Sequence, residues 1–381
     1  VKDRTPGSRR EELWELFRLF TKLGFIAFGG PAAHIAMMRD EVVVRRRWMS
    51  EQEFLDLVGV TNLIPGPNST QMGIHVGRIR AGWRGLILAG VCFITPAALI
   101  TLALAVLYVQ YGETPQGESL MYGIAPVIIA IVAQALWGFS KTAVKDWLTA
   151  LVGAAAFLLY FLLRVPEIPL LAGGALVVFL ARTPGRGEHA ALLPIGAPVG
   201  LASALPAVPP VASIFLTFLK IGSVLFGSGY VLLAFLRSNF VEPGLLTEQQ
   251  IIDAVAVGQF TPGPVFTTAT FVGYLLEGLP GAVAATFGIF IPAFVFVALI
   301  SPFIPRLRSS PVAADLLDGV NVVALALMAA VTIQLGLAAI VDPLTAALAL
   351  AALFVLFRFR VNSAWLVLGG GVAGLLHGFI L

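Results

Sequence analysis

Lys220 occupies an apolar stretch running from Leu205 to Leu236 that carries no other charge. An ammonium held at depth in a bilayer costs at least ~2.5 kcal/mol on insertion scales, so such a group is usually kept where it faces a cavity or a partner. Lys22 alone would be unremarkable, because Arg18 lies one turn away and both side chains can snorkel to the interface. The two lysines, however, are equivalent by internal repeat. Phe20-Thr21-Lys22-Leu23-Gly24 precedes Phe28-Gly29-Gly30, and Phe218-Leu219-Lys220-Ile221-Gly222 precedes Phe226-Gly227-Ser228-Gly229 at the same spacing. Two readings stand: the lysines bind an anion, or they snorkel or form a structural pair with Asp56 or Asp253.

The repeat continues into a second set of groups suited to anions. Ser50-Glu51-Gln52-Glu53 leads through Asp56 to Pro65-Gly66-Pro67, and Thr247-Glu248-Gln249-Gln250 leads through Asp253 to Pro262-Gly263-Pro264. Both Ser50 to Glu53 and Thr247 to Gln250 read as capping boxes that start a helix. Proline removes a backbone donor and clashes with the preceding turn, so each Pro-Gly-Pro is expected to break the helix. A new helix beginning after Pro67 or Pro264 exposes unpaired N–H groups and about half a positive charge, a ready anion site. Asn68, Ser69 and Thr70 add side-chain donors after the first break, and Thr267 and Thr268 after the second. The glycines Gly29, Gly30, Gly227, Gly66 and Gly263, with Ser228, allow close backbone approach at the breaks. The expected site is two lysines and these helix ends meeting around a tetrahedral dianion; the competing reading is that glycine and proline only kink helices for close packing.

Asp56 and Asp253 lie one turn into matching helices and could exchange protons during transport, although a solvated helix start explains them as well. The histidines His34, His75, His189 and His377 form no HExxH or HxH pattern and are unmatched between halves, so neither a metal nor another cofactor is expected. The single cysteine, Cys92, lies in an apolar run and can form no internal disulfide. A membrane-embedded enzyme would need a nucleophile or metal with its base, and no such set is visible.

The elements that must position these residues are long and apolar. Of 381 residues 58% are hydrophobic and 12% charged, with a mean hydropathy of +0.93, which makes lipid the solvent. The apolar runs approach the ~20 residues of a spanning helix and lack the alternation of a β-barrel. The predicted fold is an all-α polytopic membrane protein of about ten to thirteen crossings, built from an N-terminal repeat over 11–182, a Pro- and Gly-rich linker over 183–210, and a C-terminal repeat over 211–381. After the broken elements, each half carries four apolar segments, near 84–110, 120–139, 147–163 and 167–181, then 280–304, 314–336, 344–357 and 363–380. The stretch 190–211 is either an extra crossing or a surface linker.

Loop charge inverts between the halves. Arg78, Arg80 and Arg84 are answered only by Glu277, Glu113 and Glu118 by Arg306 and Arg308, and Lys141 and Lys145 by Asp342. Under the positive-inside rule the halves are oppositely oriented, the inverted-repeat plan of many secondary transporters. The net charge of +3 sits in short clusters beside apolar spans, as in Arg45-Arg46-Arg47 before Trp48, which fits membrane anchoring rather than nucleic acid. The N-terminal segment, with Arg18 and Lys22 interrupting it, does not resemble a signal peptide, and its helix is expected to be retained.

The Phe-x-Lys-x-Gly, Phe-Gly-Gly and Pro-Gly-Pro series, present in order in each half, resembles the chromate ion transporter family of the long, two-domain type. The resemblance covers nearly the whole chain and departs at Ser228, where glycine is usual. It implies a bacterial or archaeal inner-membrane protein that exports chromate using the proton motive force. An inside-negative potential already favours expulsion of a dianion, by roughly 2.3 kcal/mol per charge per 100 mV. Uptake or exchange of sulfate or another oxyanion is the alternative within transport. The expected partners are chromate, sulfate as its near mimic, and lipid; a homodimer is compatible with the sequence.

Overall fold

The computed structural model describes residues 9–28, 30–112, 114–182, 210–226, 231–301, 311–359 and 361–380. Gly29, Gly227, Ser228, Glu113, Arg306, Arg308 and almost all of the 190–211 stretch lie outside the described residues. Every regular element among the described residues is helical, and four helices are long and apolar enough to cross a bilayer. The chain is an all-α polytopic membrane protein.

The first half begins with α1 (Arg9–Ile26) and α2 (Gly30–Arg39), the latter widening into a π turn at Asp40–Arg45. Then come α3 (Glu51–Thr61) and α4 (Asn68–Tyr111). The outer ends of these elements converge. Arg80 of α4 pairs with Glu12 and Glu15 of α1 at 3.3 and 2.9 Å. Arg39 at the end of α2 grips Glu51 at the start of α3 through two bonds of 2.6 and 2.7 Å, and Arg46 and Arg80 both lie over the Trp48 ring. Chain entry and exit at one end mean that α1 with α2, and α3 with the first part of α4, are hairpins, the first turning beyond Phe28 and the second at Pro-Gly-Pro. The tips are the breaks that the sequence predicted.

A third break, beyond the two expected in each half, divides α4 at Ala81–Gly82, where Gly82 has φ +61. The second half repeats it at Glu277–Gly278, with φ +58 at Gly278. Glycine is needed there because an L side chain is strained at such angles. After the break the first half continues through the rest of α4, α5 (Pro115–Ala143), α6 (Trp147–Leu163) and α7 (Glu167–Arg182). The second half follows the same plan: α8 (Pro210–Val224), α9 (Leu232–Leu236) with a π turn at Arg237–Val241, α10 (Glu248–Phe260), a 3-10 turn at Val265–Thr267, α11 (Thr268–Ile300), α12 (Pro311–Ala339), α13 (Pro343–Phe359) and α14 (Ser363–Ile380).

Both capping boxes form: Ser50 and Thr247 each accept from the amide three residues on, and Glu53 and Gln250 return the bond to the cap's own amide. Ser50→Ala or Thr247→Ala is expected to cost ~1 kcal/mol, read as a lowered unfolding midpoint of detergent-purified protein. Asp146 and Asp342 cap α6 and α13 in equivalent turns with Thr149 and Thr345. Both carboxylates are held below the usual range, Asp146 chiefly by the Thr149 amide and Asp342 chiefly by the Tyr122 hydroxyl. Their contribution to stability is therefore present at neutral pH and fades only as acid protonates them.

Equivalent helices run antiparallel. Arg78, just before the break in α4, donates to Ala298 near the far end of α11 at 3.1 Å, and Gly90 of α4 faces Phe294 of α11. The start of α12 joins the end of α7, where Arg182 binds Asp315 and Asp318 at 3.0 and 2.7 Å, whereas the end of α12 lies beside Tyr108 and Gly112 of α4 and Tyr122 of α5. The halves are also interlocked. A Cβ on Gly123 of α5 would fall 2.1 Å from the Gly370 carbonyl of α14, and one on Gly319 of α12 would fall 2.3 Å from the Gly174 carbonyl of α7. The last helix of each half thus packs backbone to backbone on the other half, through repeat-equivalent glycines.

Candidate functional site

The helix breaks of opposite halves meet. The Gly66 amide donates to the Leu225 carbonyl at the end of α8 at 2.7 Å, and the Gly263 amide donates to the Ala27 carbonyl at the end of α1 at 2.8 Å. These reciprocal bonds tie each Pro-Gly-Pro tip to the Phe-Gly tip of its counterpart half. Gly66 and Gly263 have φ +121 and +88, and an added Cβ would approach Gln71 Nε2 to 2.8 Å in one case and Ala97 Cβ to 2.8 Å in the other. Pro65, Pro67, Pro262 and Pro264 flank these turns; Pro67 and Pro264 stand in extended conformation directly before α4 and the 3-10 turn. Gly30, at φ +77, opens α2 from the other tip.

The side-chain donors of the two tips are used differently. Thr267 and Thr268 donate to the carbonyls of Pro264 and Val265 at 2.9 and 2.8 Å, and Thr101 of α4 donates to the Thr267 hydroxyl at 3.2 Å. In the first half Asn68 donates to Asn62 at 2.8 Å, Ser69 is buried, and the fully buried Thr70 hydroxyl has no hydrogen-bond partner. Gln71, one residue on, donates to the Pro65 carbonyl at 2.6 Å and so braces the turn. The first-half tip therefore keeps a buried hydroxyl without a partner, that of Thr70, whereas Thr267 and Thr268 of the second-half tip are both engaged.

The structure engages each lysine within its own half. Lys22 donates to Glu41 of the π turn at 2.9 Å, and the same carboxylate receives Arg46 at 3.2 Å. Lys220 donates at 2.7 Å to Asn239, at the matching place in the second π turn. The repeat thus replaces an anionic acceptor by a neutral one. Neither Glu41 nor Asn239 was singled out by sequence reasoning; superposing the halves would have found them, because both lie 19 positions after their lysine.

The two aspartates also differ. Asp56 accepts from Gln52 at 2.8 Å and is partly exposed. Asp253 is 2% exposed and accepts from Gln249 at 2.8 Å and from the Tyr108 hydroxyl at 2.7 Å. It sits in the wall of a cavity of about 520 Å³ formed by the end of α4, the start of α5, α10 and the end of α12. Tyr108 carries no signal in the sequence, since it lies in an unbroken apolar run far from its partner. Among the described residues no group of three or more His, Cys, Asp or Glu could hold a metal ion.

Antiparallel repeats joined through paired helix breaks, in a chain with several apolar spans, define a multi-pass membrane protein. The chain belongs to the chromate transporter family, whose model matches it twice, over residues 14–179 and 212–375. It is 32% identical over 376 residues to a chromate transport protein of Cupriavidus metallidurans, covering 95% of this chain and 92% of the relative. It is likewise 32% identical to one from Pseudomonas aeruginosa, over 94% and 91% of the two chains. A probable chromate transport protein of Synechococcus elongatus is 33% identical over 85% and 84%. No solved structure matches the chain.

Proposed function

We propose that this protein exports chromate, a tetrahedral oxyanion dianion, across the inner membrane, driven by the proton motive force. The observation that carries the reading is the pair of reciprocal bonds from Gly66 to Leu225 and from Gly263 to Ala27. Each sets a helix break of one half against a break of the other, and helix starts at such breaks, those of α2 and α4 among them, favour negative charge. Ligands in this reading are Lys220 and Lys22, the backbone amides at Gly29, Gly30, Gly66, Gly227 and Gly263, and the side chains of Asn68, Ser69, Thr70, Thr267, Thr268 and Ser228. The arginine-rich end, with Arg78, Arg80, Arg84, Lys145 and Arg182, is the cytoplasmic one by the positive-inside rule, which puts the Asp253 cavity on the outside. Expulsion of a doubly charged anion is favoured by about 4.6 kcal/mol at 100 mV, twice the single-charge value.

The test is chromate flux in proteoliposomes under an imposed voltage or pH gradient, with sulfate as competitor. Chromate movement that follows either gradient and is slowed by excess sulfate is expected. Absence of flux under both, from monodisperse protein, rules the transport reading out.

A further inference from the structure

We infer that Asp253 is a proton-operated gate on the outer side: it takes up a proton when the cavity beside it closes and returns it to the same side when the cavity reopens. The inference rests on the transport reading above and adds to it the residue, the side and the step.

The geometry separates Asp253 from its repeat partner. Both carboxylates accept from a glutamine one turn earlier on their own helix, Gln52 and Gln249, each at 2.8 Å. Asp253 alone is nine-tenths buried, borders a cavity of about 520 Å³ and receives a hydroxyl from the other half of the molecule, that of Tyr108. Its side chain reaches the cavity wall and is otherwise enclosed by protein. Titratable groups facing the same space are Tyr108 from α4 and Glu118 and Tyr122 from α5. The lining from α11 and α12 is Leu275, Ala338 and Ala339, followed by Val341 before α13. His377 of α14 stacks on Tyr122, which is itself bonded to Asp342. Among the described residues no lysine, arginine or histidine lines the cavity.

Alternating exposure requires such a cavity to shrink when the other end opens. Closing it strips the remaining water from Asp253, and no cation on its walls replaces that water. A desolvated, unpaired carboxylate is costly enough that it takes up a proton instead. Closure therefore binds one proton from the outer solution, and reopening releases it. The Tyr108 hydroxyl and Gln249 amide stabilise the charged form while the cavity is open, so that the proton leaves again.

The experiment measures chromate counterflow in proteoliposomes as a function of pH on the cavity side. Wild-type counterflow is expected to fall as that pH rises, approaching ~tenfold per unit for a one-proton step. Asp253→Asn should retain counterflow but lose the pH dependence, and Asp253→Glu should restore it. Tyr108→Phe, which keeps the ring and removes one donor to the carboxylate, should move the profile to higher pH. A wild-type profile in Asp253→Asn overturns the inference while leaving transport intact. Loss of counterflow in both Asp253 variants, from monodisperse protein, also overturns it, because the residue would then serve structure or substrate. If wild-type protein moves no chromate at any pH, the transport reading fails first and this one with it.

Discussion

Lys220→Ala is expected to lower chromate flux by ~10–100-fold at unchanged protein level, the equivalent of losing one hydrogen bond to a charged group, about 1.5–3 kcal/mol. Lys22→Ala should do less. Lys22 is held at 2.9 Å by Glu41, a carboxylate it shares with Arg46, so a dianion would have to break that ion pair to engage it. The acceptor on Lys220 is the neutral amide of Asn239 at 2.7 Å, which leaves its charge available. Asn239→Asp provides the converse test. It restores a carboxylate where the first half has one, at almost unchanged shape, and should weaken chromate binding by pairing with Lys220. Initial rates in inverted vesicles, normalised to protein detected in the membrane, measure all three variants. Full flux in Lys220→Ala, or an unimpaired Asn239→Asp, would place the anion elsewhere.

The parts of this arrangement legible in the sequence are those set by backbone chemistry. Capping boxes and Pro-Gly-Pro turns act within a few residues, and each appears where the residues placed it. Duplication then doubled every local signal, so that a motif too weak to interpret once became informative at its second appearance. Inverted loop charge carried one step further, and the antiparallel course of α4 and α11 agrees with it.

What the sequence left hidden is set by contacts between halves. The interlocking of α14 with α5 and of α7 with α12 depends on Gly123, Gly174, Gly319 and Gly370, and a glycine in an apolar helix does not declare which neighbour it admits. The sequence also treated the two lysines and the two aspartates as equivalent pairs. Their partners break that equivalence, because Glu41 became Asn239 in the repeat and because Tyr108 reaches Asp253 from a helix 145 residues away. A pathway that loads on one side and unloads on the other requires such differences between the halves, and pattern matching looks only for what the copies share.

The largest loss of stability is expected at the glycines that fold α4 and α11 back on themselves. A Cβ on Gly273 would fall 2.3 Å from the Gly281 carbonyl and 2.6 Å from Ala285 Cβ; one on Gly77 would fall 2.2 Å from the Gly85 carbonyl and 2.6 Å from Ala89 Cβ. Backbone atoms cannot rotate away as a side-chain end can, so alanine must force the two segments apart and open the turns at Gly278 and Gly82. The cost should exceed the ~1–3 kcal/mol of ordinary overpacking. It should also abolish flux, because the segment displaced in Gly273→Ala carries the 265–268 tip and the one displaced in Gly77→Ala carries the 68–71 tip. Gly59→Ala supplies the contrast, as this helical glycine has nothing within 4 Å of the added carbon and should gain ~0.5–1 kcal/mol from a stiffer helix. Unfolding midpoints in detergent and the amount of protein in the membrane separate the cases: low for Gly77→Ala and Gly273→Ala, unchanged or higher for Gly59→Ala. Equal stability across the three would mean that the segments before and after each break do not touch as described, and the inward placement of both Pro-Gly-Pro tips would lose its support.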